Sequence, residues 1–448
     1  MGTLRRKIDN VLAEWKAREG HSPMIIKGAR QIGKTFSVME FARANYKHTV
    51  YINFILESRY RDIFADGYDV DSVVKNISFL NPTLIFEPGE TLIFFDELQA
   101  CPDAATSLKA FKTDGRYDVI CSGSLMGISY REIESNSVGY KEDIEMFSLD
   151  FEEFLWARGY TDTQIDSLYT KMLGLEPLGK IEFDVLAGIF KDYMVVGGMP
   201  AVVEKFVTQN NFSGILPMQR QLLLDYQEDI TKYASGLDKA KILAVYNHIS
   251  TFLARENKRF QITKIGRNAR NRDYVGVMDW LTSAGIVNAC HCLDHLELPL
   301  KGNYNPDLYK LYYQDTGLFV ASLDEEAQTD LRDNRNLGTY KGALYENVIA
   351  DMLRKEGYQL YYYRNEKSSV EMDFFVRDAA SLIPIEVKAG NNASKSLTKL
   401  TSGQVGDIRY GIKFAFKNIG FNGQFYTFPY FLAFLLKRFL REHKTTNA

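Results

Sequence analysis

The feature that most constrains the fold is an apolar run at residues 24–26 followed by the pattern G-x-x-x-x-G-K-T at residues 28–35. A buried strand that turns through a glycine loop into a helix aims backbone N–H groups and the positive end of the helix dipole at one point. Residues 36–46 have a helix-like composition, so both the strand and the helix are predicted. This context favours a nucleotide site over a glycine turn that happens to carry a lysine.

The residues predicted to bind ATP all belong to this turn: Gly28, Ala29, Arg30, Gln31, Ile32, Gly33, Lys34 and Thr35. The two glycines allow close backbone approach to the phosphates. We expect Lys34 to reach the β- and γ-phosphates and the Thr35 hydroxyl to coordinate Mg²⁺.

A second motif lies about sixty residues further on, where the apolar residues 91–95 precede Asp96 and Glu97. In such an arrangement the first carboxylate holds Mg²⁺ and the second is the base that activates the attacking water. Together with the loop, this acidic pair predicts hydrolysis rather than binding alone. Another predicted strand, residues 117–121, ends at Ser122, whose hydroxyl is expected to lie between the two motifs; a simple turn or helix cap is the alternative.

Predicted strands at residues 49–54 and 144–149 alternate with a predicted helix at 71–80. This alternation is typical of an α/β fold with a parallel sheet covered on both faces, the P-loop NTPase arrangement. Ligands of such sheets bind at the carboxyl edge, where the loop, the acidic pair and Ser122 would meet.

Further motifs extend the pattern through the chain: L-D-F-E-E-F-L at residues 149–155, G-G-M-P at 197–200, Y-Q-D-T-G-L at 313–318 and G-A-L-Y-E-N at 342–347. With these motifs the sequence resembles the prokaryotic AAA+ ATPases that carry a DUF4143-type C-terminal region. The resemblance implies ATP and Mg²⁺ as ligands. Residues 138–140 read V-G-Y where relatives read A-G-R, so no arginine finger is assigned.

The predicted domains are a P-loop AAA+ core at 1–168, a helical lid or connector at 169–239, a winged helix at 240–330 and a nuclease-like domain at 336–448. The winged-helix prediction rests on apolar faces at residues 242–253 and 274–281, with Thr263 capping a helix between them and a strand at 286–289. Six basic residues in this segment predict contact with DNA: Lys258, Arg259, Lys264, Arg267, Arg270 and Arg272. A solvated face or a protein-binding winged helix is the alternative.

The C-terminal segment has its own charged pattern after a predicted helix at 344–355. In the predicted strands 370–376 and 382–388, alternate residues share a face, so Glu371 lies beside Asp373 and Glu386 beside Lys388. These E-x-D and I-E-V-K segments resemble a PD-(D/E)xK nuclease site. Asp373 and Glu386 are the predicted metal ligands, Lys388 is expected beside the scissile phosphate, and Glu346 could complete the metal shell. The alternative is a fold that keeps these residues only for ion pairing.

The net charge of −3 gives no global basic signature, so any nucleic-acid contact must be local. The longest apolar run, residues 428–436, is too short to span a bilayer and contains Pro429. We therefore expect a cytoplasmic protein with no membrane partner. The leading hypothesis is an ATPase that couples nucleotide state to a nucleic-acid-directed C-terminal module. The competing hypotheses are a nucleotide switch that binds a protein partner without cleaving nucleic acid, and a metal-dependent nuclease with structural nucleotide. Homo-oligomerisation is left open.

Overall fold

The computed structural model describes residues 4–124, 139–234, 236–253, 260, 274–335, 337–338, 340–365, 369–390, 393–403 and 406–443. The chain forms two compact units. Unit 1 comprises Met1–Ser148 and Ser283–Gly285, and unit 2 comprises Leu149–Thr282 and Ile286–Ala448.

Unit 1 is built on a five-stranded parallel sheet with the strand order β2-β3-β4-β1-β5. Its strands are β1 (Met24–Gly28), β2 (His48–Asn53), β3 (Thr91–Asp96), β4 (Asp118–Ser124) and β5 (Glu142–Glu145). The accompanying helices are α1 (Lys7–Ala17), α2 (Lys34–Asn45), α3 (Val70–Leu80) and α4 (Pro102–Asp114). All residues of β1 and β3 are buried, as expected for central strands covered on both faces. The predicted α/β fold with a parallel sheet core is therefore confirmed.

The fifth strand differs from its prediction, because it occupies Glu142–Glu145 rather than residues 144–149. Within the described residues this edge strand pairs with β1 alone, in a register that ends with Lys27 opposite Glu145. Since β1 ends at Gly28 and turns into the loop, β5 has no partner strand beyond that point. A last backbone hydrogen bond from Met146 N to Lys27 O closes the pairing at 2.7 Å.

In unit 2, helices α5 (Phe151–Ala157), α6 (Asp162–Gly174), α7 (Lys180–Val196), α8 (Pro200–Gln209) and α9 (Ile215–Tyr233) come first. They confirm the helical character predicted from residue 169 onward. The next helices are α10 (Gly236–Leu253) and α11 (Val275–Ser283). They contain the two apolar faces used to predict a winged helix, and the winged helix itself stays a prediction. Thr263 and the six basic residues Lys258 to Arg272 lie outside the described residues.

An eight-stranded mixed sheet follows, with the order β12-β13-β11-β10-β9-β8-β6-β7. Its strands are β6 (Val287–Leu293), β7 (Tyr304–Tyr313), β8 (Leu360–Asn365), β9 (Val370–Arg377), β10 (Leu382–Lys388), β11 (Gly411–Ala415), β12 (Gly420–Phe421) and β13 (Phe425–Pro429). The remaining helices are α12 (Thr316–Ala321), α13 (Ala327–Asp333), α14 (Tyr340–Lys355), α15 (Lys395–Ser402) and α16 (Leu436–Glu442). Because β6 pairs with both β7 and β8, this sheet continues across the predicted domain boundary near residue 336.

Three of the family-like motifs meet in the interior of unit 2. Leu149 N donates to Gly198 O at 2.7 Å, and Gly198 N donates to the Asp315 carboxylate at 2.7 Å. A Cβ on Gly198 would lie 2.0 Å from Leu149 O, and one on Gly197 would lie 2.1 Å from Asp315 Oδ1. These motifs therefore hold a buried junction that only glycine can occupy at the two positions.

Candidate functional site

The loop between β1 and α2 has the backbone geometry that its sequence predicts. Gly33 precedes the first residue of α2 with φ +91°, and Gln31 also has a left-handed φ of +62°. Gly28 has no space for a side chain, because a Cβ there would lie 2.3 Å from Met146 O. The two glycines thus serve different purposes, one turning the chain and the other allowing β1 to approach the segment after β5.

Lys34 folds back onto the loop in this structure. Its Nζ donates to Gly28 O at 3.1 Å and to Ala29 O at 2.7 Å. Burial lowers the pKa of Lys34 to about 8, although the nearby carboxylates of Glu97 and Asp96 act in the opposite direction. The ammonium group is therefore held by backbone carbonyls that a phosphate could replace.

Asp96 is the centre of a buried polar network at the end of β3. Its side chain accepts hydrogen bonds from Thr35 Oγ1 at 3.0 Å, from Tyr51 OH at 3.0 Å and from Ser122 Oγ. Asn53 Nδ2 adds a longer contact of 3.3 Å. The structure therefore brings together the predicted Mg²⁺ ligands Thr35 and Asp96 and places the Ser122 hydroxyl against them.

Glu97 follows Asp96 in an unusual backbone conformation, with φ +58°. A non-glycine residue in this region stores roughly 1–3 kcal/mol of strain, which is common at functional sites. Its N–H donates to Asp96 Oδ1 at 3.0 Å, and its carboxylate accepts from Gln99 Nε2. Gln99 in turn accepts from Ser124 N at 3.3 Å, so a short polar chain links the predicted base to the end of β4.

Sequence analysis missed three residues that build this site. Tyr51 and Asn53 are alternate residues at the carboxyl end of β2, and the period of two along a strand could have placed both near Asp96. Arg6 gave no comparable signal. Its buried guanidinium donates to Ile32 O at 2.9 Å and to Phe147 O at 2.7 Å, so it ties the phosphate loop to the segment after β5.

The donor set at Asp96 fits a hard divalent cation, since it consists of carboxylate and hydroxyl oxygens. Among the described residues, no cluster of three or more histidines, cysteines, aspartates or glutamates is placed to hold a metal. That finding does not count against Mg²⁺ here, because a P-loop site completes its shell with phosphate oxygens and water.

In unit 2, the neighbouring antiparallel strands β9 and β10 carry the predicted metal ligands Asp373 and Glu386, whose role stays a prediction. Asp373 accepts a hydrogen bond from Val387 N at 2.8 Å, and Glu386 Oε1 pairs with Lys388 Nζ at 3.0 Å. Glu386 is only 3% exposed, and its Oε2 has no hydrogen-bond partner among the described residues. A buried carboxylate oxygen without a partner is costly unless a cation or water occupies its lone pairs.

A lysine that the sequence analysis did not single out enters the same charged region. Lys310 on β7 is 1% exposed, and its Nζ lies 3.4 Å from Glu371 Oε1 and 4.0 Å from Glu346 Oε2. Burial alone would lower the pKa of Lys310, but the charges of Glu346, Asp373 and Glu371 outweigh burial and raise it. Glu346, expected to complete a metal shell, is instead paired with this internal cation and with Tyr312 OH at 3.2 Å.

The fold and the site of unit 1 define the class: a P-loop nucleotide-binding domain whose loop and acidic strand end meet at the carboxyl edge of a parallel sheet. Comparison with known families gives the particular type. Residues 20–155 match the family described as AAA domain, which supports an ATPase. Residues 188–329 and 341–429 match the domains of unknown function DUF8612 and DUF4143. The predicted AAA-type core and DUF4143 region are therefore confirmed.

Solved structures provide only distant likenesses. Caenorhabditis elegans PCH-2 is 12% identical over 45% of this chain and 60% of its own, with a TM-score of 0.28. Aeropyrum pernix ORC1, solved in complex with DNA, is 12% identical over 75% of this chain and 92% of its own, with a TM-score of 0.27. Pyrobaculum aerophilum Cdc6p is 12% identical over 73% of this chain and 92% of its own, with a TM-score of 0.25. At such TM-scores nothing about this chain follows from these likenesses.

No curated protein matches the sequence. Within the described residues, no helix combines the length and the apolar character needed to cross a bilayer.

Proposed function

We propose that unit 1 binds and hydrolyses ATP and that its nucleotide state is coupled to a nucleic-acid-directed unit 2. The observation that carries the first part is the contact of Thr35 with Asp96, with Lys34 and Glu97 beside it. Four groups from separate parts of the chain thus lie together at one sheet edge: a hydroxyl, a carboxylate, a cation and a candidate base.

The residues of the chain have distinct tasks in this proposal. Backbone N–H groups of residues 29–35 hold the phosphates, and Lys34 exchanges the carbonyls of Gly28 and Ala29 for phosphate oxygens. Thr35 and Asp96 would hold Mg²⁺, which when bound offsets the charge on the phosphates. Glu97 accepts a proton from the attacking water, and Gln99 orients its carboxylate.

Two substitutions test this assignment. Lys34→Ala should abolish ATP binding measured by calorimetry, whereas Glu97→Gln should keep binding and lose phosphate release. Glu90→Gln, an exposed carboxylate of the same unit, is the matched control and should hydrolyse ATP like the parent. Unchanged affinity in Lys34→Ala, or normal turnover in Glu97→Gln, would contradict the proposal.

A second candidate function, metal-dependent nucleic-acid cleavage by unit 2, is favoured by one observation, the unpartnered Oε2 of Glu386. Asp373 and Glu386 would be the metal ligands and Lys388 the group that faces the scissile phosphate. The pairing of Glu346 with Lys310 instead gives this carboxylate a structural partner, as expected if the fold keeps its charged residues for ion pairing. A cleavage assay with Mg²⁺ or Mn²⁺ that compares the parent with Asp373→Ala and Lys388→Ala separates the two.

A further inference from the structure

An open cleft in unit 2 lies where strands β10 and β11 end. The residues that line it include Ala389, Gly390, Ala415, Phe416 and Lys417. It contains about 740 Å³ of empty space, including solvent at its mouth. We name it the lysine cleft, because Lys191 from α7 and Lys341 from α14 join Lys417 in lining it. None of the described residues that line it is acidic.

The lysine cleft concentrates positive charge that the described part of the chain does not neutralise. None of its three lysines forms a salt bridge with a described carboxylate, although the protein as a whole is slightly acidic. Neighbouring Lys413 on β11 has its pKa lowered by burial and by the charges of Lys417 and Lys388, against the opposing effect of Glu386. Like charges that act on one another repel, and an anion in the cleft would relieve the repulsion between Lys417 and its neighbours.

An aromatic slot adjoins the lysine cleft and shares Lys191, Tyr345 and Phe416 with it. Its other walls include Phe190 and Tyr430, and it is narrow, with room for about one water molecule. Phe416 is 57% exposed, so part of its ring is open to solvent. Its ring meets the Phe183 ring edge to face with centroids 5.2 Å apart, and Tyr345 stacks on Tyr430 with centroids 4.3 Å apart.

From this geometry we propose that the lysine cleft binds single-stranded nucleic acid, with backbone phosphates on Lys191, Lys341 and Lys417 and an unpaired base on the exposed face of Phe416. Cations that follow a backbone next to an aromatic ring are the elements of single-strand recognition, and a base stacked inside a duplex has no free face to offer Phe416. An acidic peptide would use the lysines but has no planar base to stack on the exposed face of Phe416. The proposal rests on the nucleic-acid-directed function proposed for unit 2 and gives that function a location.

The site also lies next to the charged end of β10. Lys388 is paired in register with Ala415, and its carbonyl accepts a hydrogen bond from Tyr430 OH, a residue of the aromatic slot. A strand bound in the cleft would therefore lie close to Glu386 and Lys388 whether or not these residues cleave it.

The test measures binding of a fluorescein-labelled oligothymidylate to the full chain by fluorescence anisotropy, without nucleotide and with EDTA. The triple variant Lys191→Gln, Lys341→Gln and Lys417→Gln should bind at least about tenfold more weakly, and its salt dependence should flatten by about two units, near 0.7 per lost single-strand contact. Phe416→Ala should lower the affinity about tenfold, because base stacking is lost, whereas Phe416→Trp should bind like the parent. The matched control replaces three lysines outside the cleft, Lys180, Lys232 and Lys301, which are all exposed, and should bind like the parent.

Several outcomes would overturn the assignment. Equal losses of oligonucleotide affinity in the cleft triple variant and the control triple variant would show that only the total positive charge matters. Stronger displacement by polyglutamate than by unlabelled oligonucleotide, with no effect of Phe416→Ala, would assign the cleft to an acidic protein. Parent-like binding in the cleft triple would refute the location and leave the proposed function intact, whereas no binding by the parent would refute the nucleic-acid part of the proposed function itself.

Discussion

At the scale of single residues, Lys34 shows how a site can be prepared for an anion before the anion arrives. Its ammonium is buried against two loop carbonyls, and the cost of burial appears as a pKa lowered to about 8 from 10.5. The bound phosphates would favour the charged form and raise that pKa again.

This lowered pKa predicts a pH-dependent affinity for ATP. Below about pH 8 the unliganded lysine is already protonated, so the affinity should not change through this group. Above about pH 8 binding must take up a proton, and the affinity should fall by up to about tenfold for each pH unit. Calorimetry from pH 7 to 9.5 in buffers of different ionisation enthalpy would measure both the affinity and the proton uptake. Lys34→Arg, which keeps its charge throughout, should show no such fall; a flat profile in the parent would contradict the prediction.

Glu386 gives a second prediction at this scale, independent of any cleavage activity. If its buried Oε2 faces a metal site with Asp373, Mn²⁺ should bind to the nucleotide-free protein and be detectable by electron paramagnetic resonance. Glu386→Gln should lose that signal, while Asp96→Asn should keep it, because Asp96 belongs to unit 1. Retention of the signal in Glu386→Gln would place the metal elsewhere.

At the scale of elements, the residue before α1 holds the phosphate loop in place, a role that the sequence did not predict. Arg6, immediately before α1, anchors the phosphate loop through Ile32 O. Arg6→Met should weaken ATP binding by about tenfold, roughly the value of one or two hydrogen bonds from a charged group. Arg5→Met is the control, since Arg5 is exposed, and should bind ATP like the parent. Equal affinities in both variants would show that the loop holds its shape without Arg6.

The buried junction of unit 2 predicts opposite effects for two similar substitutions. Gly198→Ala should destabilise the protein by about 2 kcal/mol or more, because the added methyl meets the backbone of Leu149 and cannot be accommodated by a side-chain movement. Gly188→Ala, within α7 and with open space around its Cα, should stabilise by about 0.5–1 kcal/mol through helix propensity. Urea denaturation of both variants measures the difference; a Gly198→Ala protein as stable as the parent would contradict the steric argument.

Local sequence patterns predicted most of these elements. They failed where the structure depends on a contact with a strand or side chain far away in the sequence. The phosphate loop, the acidic strand end and strands β9 and β10 each have a period or a turn signal of their own. The end of β5 could not be predicted, because it depends on where β1 turns away. Lys310 and Arg6 were also missed, since a buried cation is recognised only when the carboxylates or carbonyls around it are known. The family-like glycine motifs drew attention correctly, but their role is close packing rather than chemistry.

At the scale of the whole molecule, the proposal joins an ATPase unit to a unit that binds nucleic acid. Such coupling is a difference in free energy, so ATP and ADP must change the affinity of unit 2 by different amounts. By the same reasoning the oligonucleotide must change the affinity for the nucleotide by an equal factor.

The most direct measurement uses the Glu97→Gln protein, which should bind ATP without consuming it. Its affinity for the labelled oligothymidylate is measured by anisotropy with saturating ATP and again with saturating ADP, with Lys34→Ala as the control that cannot respond to either. We predict affinities that differ by at least about fivefold between ATP and ADP, a coupling of roughly 1 kcal/mol. Identical affinities in a protein shown by calorimetry to be saturated with each nucleotide would contradict the account.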